Sequence, residues 1–394
     1  MHVLDRFAIN CGASRSTPTV EEAFFPVPFD SYITLNKFCP HPSQTYDYWP
    51  DVIEDVVPLL QKAGVAIIEV GDKPEGQPPL RNTYDLRGKL NIKQMSYIIK
   101  KSRYHLTGDS FCADLANILK TKTCQVFGAT PPYLFAPQWN KELTTILSGS
   151  TDEAPPTFAT PTTIKTVNKI YPEALCEALL DELSIPHCFK SLQTKFIGDK
   201  YHLPAIDIVP DFLPTPGFLA HNTLHLRLDY KFDPNSIPHW CQDNRKIVII
   251  SDQEVDINLL TSFKGTIIQI GYEVNSSTSL DYLTALKNTG IPLHVFSRTD
   301  NEKELADLRL YFIDWTIEHR KTLSKKCLDS ALDIDYNTAF YKSSKAVLSK
   351  GQEFPCKQAW LLNIPKDPTK AQPIIDQDEF WKEQAHFRII QHPK

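Results

Sequence analysis

The chain has 394 residues, of which 42% are hydrophobic and 23% are charged; these values are typical of folded proteins, exclude a disordered chain and allow two domains. Its 42 Lys and Arg residues against 47 Asp and Glu residues give a formal net charge of -5, which argues against binding to nucleic acid or membranes through bulk positive charge. With 14 glycines and 30 prolines, the chain has little scope for glycine-rich phosphate loops.

The cysteines and the apolar segments predict the cellular compartment. The 9 cysteines are scattered without a Cys-x-x-Cys pair, so neither a zinc site nor a redox motif is indicated, and reduced thiols are expected. The first residues have no long apolar core, and no apolar run approaches the ~20 residues of a spanning helix. We therefore expect a cytoplasmic protein with no signal peptide, no membrane span and no metal.

In the first half of the chain, segments with strand character alternate with segments of helical periodicity. Residues 3–9 place apolar side chains on one side of a short helix that ends near Gly12. Strands that alternate with helices form parallel sheets through right-handed crossovers, so an α/β unit is expected. The predicted strands cover residues 32–35, 65–70, 84–86, 104–107 and 123–127, and the predicted helices cover residues 50–63, 91–100 and 111–120.

The most informative stretch runs from residue 104 to residue 137. Two turns in it, 108–110 (Gly-Asp-Ser) and 128–130 (Gly-Ala-Thr), follow predicted strands, and ligands of parallel sheets bind at the carboxyl ends of strands. The first turn also leads into a helix, whose free N–H groups and dipole favour a phosphate. Alternatively, Asp109 and Ser110 only cap this helix, because both residue types are common N-caps.

These motifs, in this order, resemble the donor-binding domain of GT-B glycosyltransferases, and most of all that of glycosyltransferase family nine, the heptosyltransferases. In that family an Asp-Ser/Thr-Gly turn precedes a His-Leu-Ala helix and a Phe-Gly-Pro-Thr strand end. The same places here hold 109–111 (Asp-Ser-Phe), 114–116 (Asp-Leu-Ala) and 127–130 (Phe-Gly-Ala-Thr). The resemblance covers about residues 1–150 and implies a GT-B-like α/β fold of two Rossmann-like parallel-sheet domains, the first of which holds a nucleotide sugar.

The resemblance also implies a set of ligand-binding residues, with three departures. Phe111 stands where the family has a turn glycine, and Asp114 stands where it has the helix histidine. The family's lysine after the first strand is not matched directly, and Lys37 is the cation nearest to its place. No Asp-x-Asp pair occurs in this half, which favours a metal-independent reaction. The positions that the resemblance assigns to the nucleotide, the diphosphate and the sugar are Thr34, Lys37, Gly88, Leu90, Gly108, Asp109, Ser110, Phe111, Asp114 and Gly128.

The second half of the chain is expected to form another unit of the same class. Residues 144–163 are rich in Ser, Thr and Pro and predict a linker. The predicted strands cover residues 206–209, 224–230, 246–251, 266–270 and 292–296, and the predicted helices cover residues 168–183, 257–263, 279–289, 302–314 and 376–386. The expected domains are a donor-binding-like domain over residues 1–150, a linker with a helix and connecting strands over 151–240, a second Rossmann-like unit over 241–330 and a mixed C-terminal extension over 331–394.

Charged residues in this second half are the candidate catalytic groups. Asp252 and Glu254 follow a predicted strand, where a general base for an acceptor hydroxyl is expected, although Asp252 is equally well explained as a helix N-cap. His225, Arg227 and Asp229 share one face of a strand, a pattern that favours a solvated polar face over catalysis.

Other side chains of this half have less specific roles. Arg298 and Lys345 are candidate phosphate contacts, although lone cations in loops are usually only solvated. Trp360, Phe380 and Trp381 are expected to be packing anchors, because the negative net charge disfavours stacking on nucleic-acid bases.

Two functions follow from these patterns. The first is a glycosyltransferase that requires no cofactor beyond its nucleotide-sugar co-substrate and whose acceptor is a saccharide rather than a nucleic acid. In the family the catalytic base lies in a domain that precedes the donor domain, so here the second unit would substitute for it in reversed order. The second function is a non-catalytic binding or structural protein on the same scaffold, as one component of a larger assembly. The departures at Phe111 and Asp114 motivate this alternative.

Overall fold

The structure is a computed structural model of the chain, and it forms two compact units, residues 1–194 and 195–392. The residues that the structure describes are 2–14, 16–73, 79–151, 155–158, 165–198, 205–214, 223–242, 245–320, 333–367, 371–383 and 386–392.

The first unit is built on a six-stranded sheet in the order β3-β2-β1-β4-β5-β6. Every neighbouring pair in it is parallel, so all strands end at the same edge, which we call the first carboxyl edge. The strands are β1 (Tyr32–Asn36), β2 (Ala66–Glu69), β3 (Tyr84–Asp85), β4 (His105–Thr107), β5 (Thr123–Phe127) and β6 (Thr144–Ser148).

Helices cover both faces of this sheet. The apolar residues of α2 and α6 pack on one face with alternate strand residues such as Leu35 and Val126, and those of α3 and α4 pack on the other face. Helix α3 begins at a capping box, in which the Asn91 side chain accepts from the Gln94 backbone N–H and the Gln94 side chain accepts from the Asn91 backbone N–H. The helices are α1 (Val3–Asn10), α2 (Trp49–Lys62), α3 (Ile92–Lys101), α4 (Phe111–Ile118), α5 (Pro132–Phe135) and α6 (Pro172–Glu182).

The second unit contains an eight-stranded sheet in the order β13-β12-β11-β10-β9-β8-β15-β16. Its strands are parallel except for β16, which pairs with β15 in the antiparallel direction. The strands are β8 (Ala205–Ile208), β9 (Thr223–Arg227), β10 (Ile247–Ser251), β11 (Ile267–Glu273), β12 (Leu293–Ser297), β13 (Ile317–His319), β15 (Lys345–Ser349) and β16 (Gln352–Phe354).

A four-stranded sheet in the order β17-β14-β18-β7 completes the fold, and β14 is antiparallel to both of its neighbours. Phe380 and Trp381 are fully buried in its core, and Trp360 packs against that core, so the predicted packing role of these aromatic residues is confirmed. The strands are β7 (Gln193–Ile197), in which the boundary between the units falls, β14 (Phe340–Ser343), β17 (Gln372–Pro373) and β18 (Phe387–Gln391).

The helices of the second unit are distributed unevenly. Apolar residues of α7, α8, α9 and α10 all belong to one core, together with one face of strands β8 to β13. Helices α11 and α12 belong to the core of the four-stranded sheet. The helices are α7 (Ile237–Trp240), α8 (Ile257–Ser262), α9 (Leu280–Asn288), α10 (Glu302–Tyr311), α11 (Lys357–Leu361) and α12 (Asp378–Glu383).

The expected α/β fold with two parallel-sheet units is confirmed, while several bounds differ. Residues 144–148 form β6 at the edge of the first sheet, so the predicted linker is wrong at its start, and much of its remainder lies outside the described residues. Strands β8 and β9 belong to the second large sheet, which therefore begins before the expected bound of 241. The division between units falls after residue 194 rather than after 150.

The C-terminal segment also differs from its prediction. The terminal helix is shorter than predicted, and a buried strand, β18, follows it. Within the described residues, no helix is long and apolar enough to cross a membrane.

Candidate functional site

The first carboxyl edge contains a point where the strand order reverses. From β1 the chain proceeds outward to β2 and β3, and from β4 it proceeds in the opposite direction to β5 and β6. The ends of β1 and β4 are neighbours, since Asn36 pairs with Thr107. A crevice opens at such a switch point because adjacent connections leave toward opposite faces, and ligands of open α/β sheets bind there.

The turn after β4 lies at this switch point and is packed tightly against the loop that follows β1. A Cβ atom on Gly108 would lie 2.3 Å from Cys39 Sγ, so a larger residue there would displace the Cys39 side chain. Asp109 then accepts hydrogen bonds from Thr130 Oγ1 at 2.8 Å and from Gln44 Nε2 at 3.3 Å. Its carboxylate therefore joins the loops that follow β1, β4 and β5, and burial raises its pKa.

Ser110 is the N-cap residue of α4, but its side chain makes no capping hydrogen bond. Its hydroxyl lies 3.0 Å from Thr107 Oγ1 instead. The Asp109 carboxylate is bonded to Thr130 and Gln44, so the interpretation of Asp109 and Ser110 as a side-chain cap is wrong. The first N–H groups of a helix have no intrahelical partner, and α4 begins directly after the turn at the switch point.

Two of the three departures from the family pattern lie in the first turn of α4. Phe111 is 52% exposed, so an apolar ring borders the crevice. Asp114 is also exposed, and its pKa is raised to about 6, chiefly because surrounding protein displaces water and further because of the charge of Asp109. At neutral pH Asp114 therefore contributes a negative charge close to the helix N-terminus.

Two cations of this edge, Lys37 and Arg87, are paired with carboxylates. Lys37 Nζ lies 3.1 Å from Glu69 Oε2, and Arg87 Nε lies 3.4 Å from the same oxygen and 2.7 Å from Asp85 Oδ1. Lys37, Glu69 and Arg87 are buried, and burial lowers the pKa of Lys37 despite the attraction of Glu69. Sequence reasoning missed Glu69 and Arg87, although Glu69 lies near the end of a predicted strand and Arg87 directly follows another.

Several other residues assigned by the resemblance have structural contacts. Thr34 is fully buried within β1, where its hydroxyl bonds to His105 Nδ1 at 2.9 Å and to Ser102 Oγ at 3.1 Å, so its side chain does not reach the edge. A Cβ atom on Gly128 would lie 2.3 Å from the Val167 backbone nitrogen. Gly128 is therefore required by the packing of the segment 166–169.

Gly88 and Leu90 lie beyond β3. Gly88 has a φ of +66°, a left-handed conformation that glycine adopts without strain. Leu90 is partly buried against the core beneath α3 and α4. The structure therefore brings Gly108, Asp109, Ser110, Phe111 and Asp114 together at the end of β4, while Gly88 and Leu90 follow the edge strand β3.

In the second unit, the candidate bases follow β10. Glu254 is exposed, whereas Asp252 is half-buried, with an Oδ1 atom that is buried and accepts no hydrogen bond from any described residue. The N-cap of α8 is Asp256, so the interpretation of Asp252 as a cap is wrong. One carboxylate oxygen of Asp252 is therefore unpartnered among the described residues, at the end of β10.

The strand trio of this unit is not a solvated face. Arg227 is 5% exposed; its Nη1 donates to Asp207 at 2.5 Å, and its Nε and Nη2 donate to Asp229 at 2.7 and 2.6 Å. His225 Nδ1 lies 3.2 Å from Asp207 Oδ1. The prediction of a solvated polar face is therefore wrong, because Asp207 on the adjacent strand draws these groups into a buried ion-pair network.

Comparison with known proteins places the resemblance in the first unit. The family model of glycosyltransferase family 9 (heptosyltransferase) matches residues 38–168, a range that contains the ends of β2, β4 and β5. The chain resembles glycosyltransferase family 9. The match confirms the resemblance expected from the sequence, over one part of the chain.

Solved structures that match include a glycosyl transferase family 9 protein from Veillonella parvula, with 14% identity and a TM-score of 0.32 over 39% of this chain and 46% of that chain. ADP-heptose lps heptosyltransferase II of E. coli matches with 13% identity and a TM-score of 0.32, over 46% of this chain and 50% of that chain. The iron-containing dodecameric glycosyltransferase TibC of enterotoxigenic E. coli matches with 12% identity and a TM-score of 0.35, over 44% of this chain and 50% of that chain. The chain thus spans about half the length of these structures, and no curated protein matches it.

Proposed function

We propose that the protein is a glycosyltransferase whose first unit binds a nucleotide sugar at the switch point between β1 and β4. The observation that supports this proposal best is the position of the turn 108–110. It follows β4 at the point where strand order reverses, leads into the N-terminus of α4, and lies inside the range matched by the family model.

The proposed binding of the diphosphate uses α4 rather than cations. The free N–H groups of its first turn and the Ser110 hydroxyl supply donors, while Lys37 and Arg87 are already paired with Glu69 and Asp85. The helix dipole would also stabilise the charge that develops on the departing diphosphate, so the proposed reaction needs no metal ion.

Asp252 is the proposed general base for an acceptor hydroxyl, because its unpartnered oxygen lies at the end of β10, and a saccharide is the proposed acceptor. We also propose a cytoplasmic location. The described cysteines are free thiols, as expected in a reducing compartment.

A non-catalytic binding protein on this scaffold is the second candidate. It is favoured by the charges at the first carboxyl edge, where Lys37 and Arg87 are paired with carboxylates and Asp114 adds a negative charge beside the helix N-terminus. Such an edge would bind a diphosphate weakly. Transfer activity separates the two candidates, since a binding protein shows none in a screen of nucleotide-sugar donors.

The experiment that tests the proposal is a thermal-shift panel of ADP-, UDP-, GDP- and CMP-sugars with the full chain. We expect one nucleotide class to raise the melting temperature and Ser110→Trp to abolish that shift, because an indole at the N-cap would fill the crevice. Ser191→Trp, at an exposed site of the same unit, is the matched control. Absence of any shift at millimolar ligand would contradict the proposal.

A further inference from the structure

One face of the large second sheet bears charged side chains above a small apolar cluster. Helices α7 to α10 pack with the opposite face of this sheet. On the charge-bearing face, Val248, Ile250 and Phe296 form a separate buried cluster. The guanidinium groups of Arg298 and Arg320 lie 5.1 and 3.8 Å from the centre of the Phe296 ring. We call this surface the charged face.

Arg227 holds the charged face together, and carboxylates engage all three nitrogens of its guanidinium group. It is buried, and Asp207 and Asp229 take up its Nε, Nη1 and Nη2 groups. Asp229 Oδ2 also accepts from Arg298 Nη1 at 3.1 Å. Arg227 is therefore a structural residue that fixes the position of the next arginine.

Arg298 and Arg320 do have donors to spare. Arg298 uses only Nη1, toward Asp229 and, at 2.7 Å, toward Glu273, and Arg320 Nε lies 3.6 Å from Glu318. A guanidinium carries five N–H donors, so each side chain retains donors that no described residue takes up. The two side chains are 31% and 33% exposed and therefore reach solvent.

Lys345, the first residue of β15, is the third available cation. Among the described residues, nothing accepts a hydrogen bond from its Nζ or forms an ion pair with it, and it interacts electrostatically with Asp207, Arg227, Arg298 and Arg320. Burial lowers its pKa, and the three arginines lower it further. The pKa of Arg320 is also lowered, chiefly by burial and further by Arg298 and Arg227, although Glu318 opposes the shift. Lys345 pairs in register with Ala205, two residues before Asp207, so it lies on the same face as the ion-pair network, where it interacts electrostatically with Arg298 and Arg320.

We propose that Arg298, Arg320 and Lys345 form a binding site for the phosphate group of a small phosphorylated ligand. Guanidinium forks match pairs of phosphate oxygens, and the lysine supplies a compact charge. A bound phosphate would relieve the repulsion among the three cations. The site lies entirely within the second unit and goes beyond the proposed function, since neither site depends on the other.

The test is isothermal titration calorimetry of the full chain with inorganic phosphate and with a hexose phosphate, at constant ionic strength. We expect Lys345→Met and Arg320→Gln each to weaken binding roughly tenfold or more, because each removes charge-assisted hydrogen bonds. Lys303→Met, which removes an exposed lysine of α10, is the matched control and should leave the affinity unchanged. Tighter binding of the hexose phosphate would identify a larger ligand, whereas equal binding would identify free phosphate.

Thermal melting separates a ligand-binding role from a structural one. Because Lys345 has no described hydrogen-bond or ion-pair partner, Lys345→Met should keep or raise the melting temperature while phosphate binding is lost. A wild-type protein that binds neither probe would overturn the proposal. Equal weakening by Lys345→Met and Lys303→Met would overturn it too, as would a lower melting temperature with unchanged affinity for Lys345→Met and Arg320→Gln.

Discussion

The first carboxyl edge and the charged face of the second sheet use their cations in opposite ways. At the first edge, Lys37 and Arg87 are buried against Glu69 and Asp85, and the proposed diphosphate donors are the N-terminus of α4 and the Ser110 hydroxyl. On the charged face, Arg298, Arg320 and Lys345 keep donors that no described residue takes up. The resemblance to family 9 and the available positive charge therefore lie in different units of the chain.

This difference matters for how the two regions would recognise an anion. An edge with neutralised cations binds through aligned backbone dipoles, which fall off within the first helical turn. A cluster of crowded cations attracts anions over longer distances, and salt screens that attraction. Phosphate binding on the charged face should therefore weaken with salt more steeply than nucleotide-sugar binding at the first edge.

The largest effect is expected from breaking the ion-pair network beneath the charged face. Asp207→Asn would leave Arg227 buried with one partner removed, and the loss of one partner of a buried pair costs about 3–5 kcal/mol. Urea denaturation followed by tryptophan fluorescence measures the loss. Asp307→Asn, at an exposed position of α10, is the control. A change below about 1 kcal/mol in the first variant, the size expected of an exposed ion pair, would show that the network is not structural.

The same network predicts how the second unit responds to acid. The pKa of Asp207 is held well below its usual range by Arg227 and His225, despite burial. Its contribution to stability is fully present above the unfolded pKa of about 3.9 and is lost as the pH falls below that value. The wild-type protein should therefore lose more stability below pH 4 than the Asp207→Asn variant.

A weaker but broader pH response is expected in the first unit. Burial lowers the pKa of His105 to about 3, so this histidine is neutral in the folded protein but protonated in the unfolded chain below about pH 6.5. The contribution of His105 to the free energy of unfolding is fully present above about pH 6.5. It falls by about 1.4 kcal/mol per pH unit as the pH drops toward 3. Denaturation curves at pH 7, 6 and 5 measure the slope.

Two variants isolate this effect. His105→Gln is expected to flatten the slope, and His41→Gln, which changes an exposed histidine of the same unit, is expected to preserve it. An unchanged slope in His105→Gln would mean that other groups control the acid response of this unit.

A smaller effect, of about 1–3 kcal/mol, is expected from Gly128→Ala, because overpacking forces backbone shifts of this cost. The added Cβ would meet the Val167 backbone. Gly265→Ala, whose Cβ would meet nothing within 4 Å, should be nearly neutral. If Gly128→Ala instead kept full stability and lost nucleotide-sugar binding, Gly128 would serve the ligand rather than the packing.

The smallest effect concerns the negative charge beside α4. Asp114→Asn should strengthen the binding of a nucleotide sugar at pH 7.5 by roughly two- to tenfold, because it removes repulsion from the diphosphate. Since the pKa of Asp114 is about 6, wild-type affinity should rise as the pH falls from 7.5 to 5. Calorimetric titrations at both pH values would show a smaller rise in the variant, whereas Asp181→Asn should behave as wild type.

The sequence predicted the regular elements well because their signals are local. Alternating and helical apolar patterns defined the strands and helices of the first sheet to within a few residues, as for β5 and α4. The composition of residues 144–148 predicts a linker instead. These residues form an edge strand whose side chains are mostly exposed, so its Ser and Thr residues give no apolar strand pattern. Such a strand is recognisable only through its pairing with β5.

The site was less predictable because its chemistry depends on contacts distant in sequence. Asp109 is a typical cap residue, yet it accepts from Thr130 and Gln44. Arg227 alternates as if on an exposed strand face, yet Asp207, 20 residues earlier, draws it into the protein. The sequence places Asp109 directly after a strand and Arg227 within one, but only the fold selects their partners.

Hydrogen–deuterium exchange of the full chain with and without a saturating nucleotide sugar tests the central claim most directly. If the ligand binds at the switch point, amides in the turn 108–110, the first turn of α4 and the loop after β1 should exchange more slowly in its presence, and Ser110→Trp should abolish this protection. Protection confined to other segments, or unchanged exchange in these three despite measured binding, would contradict the account.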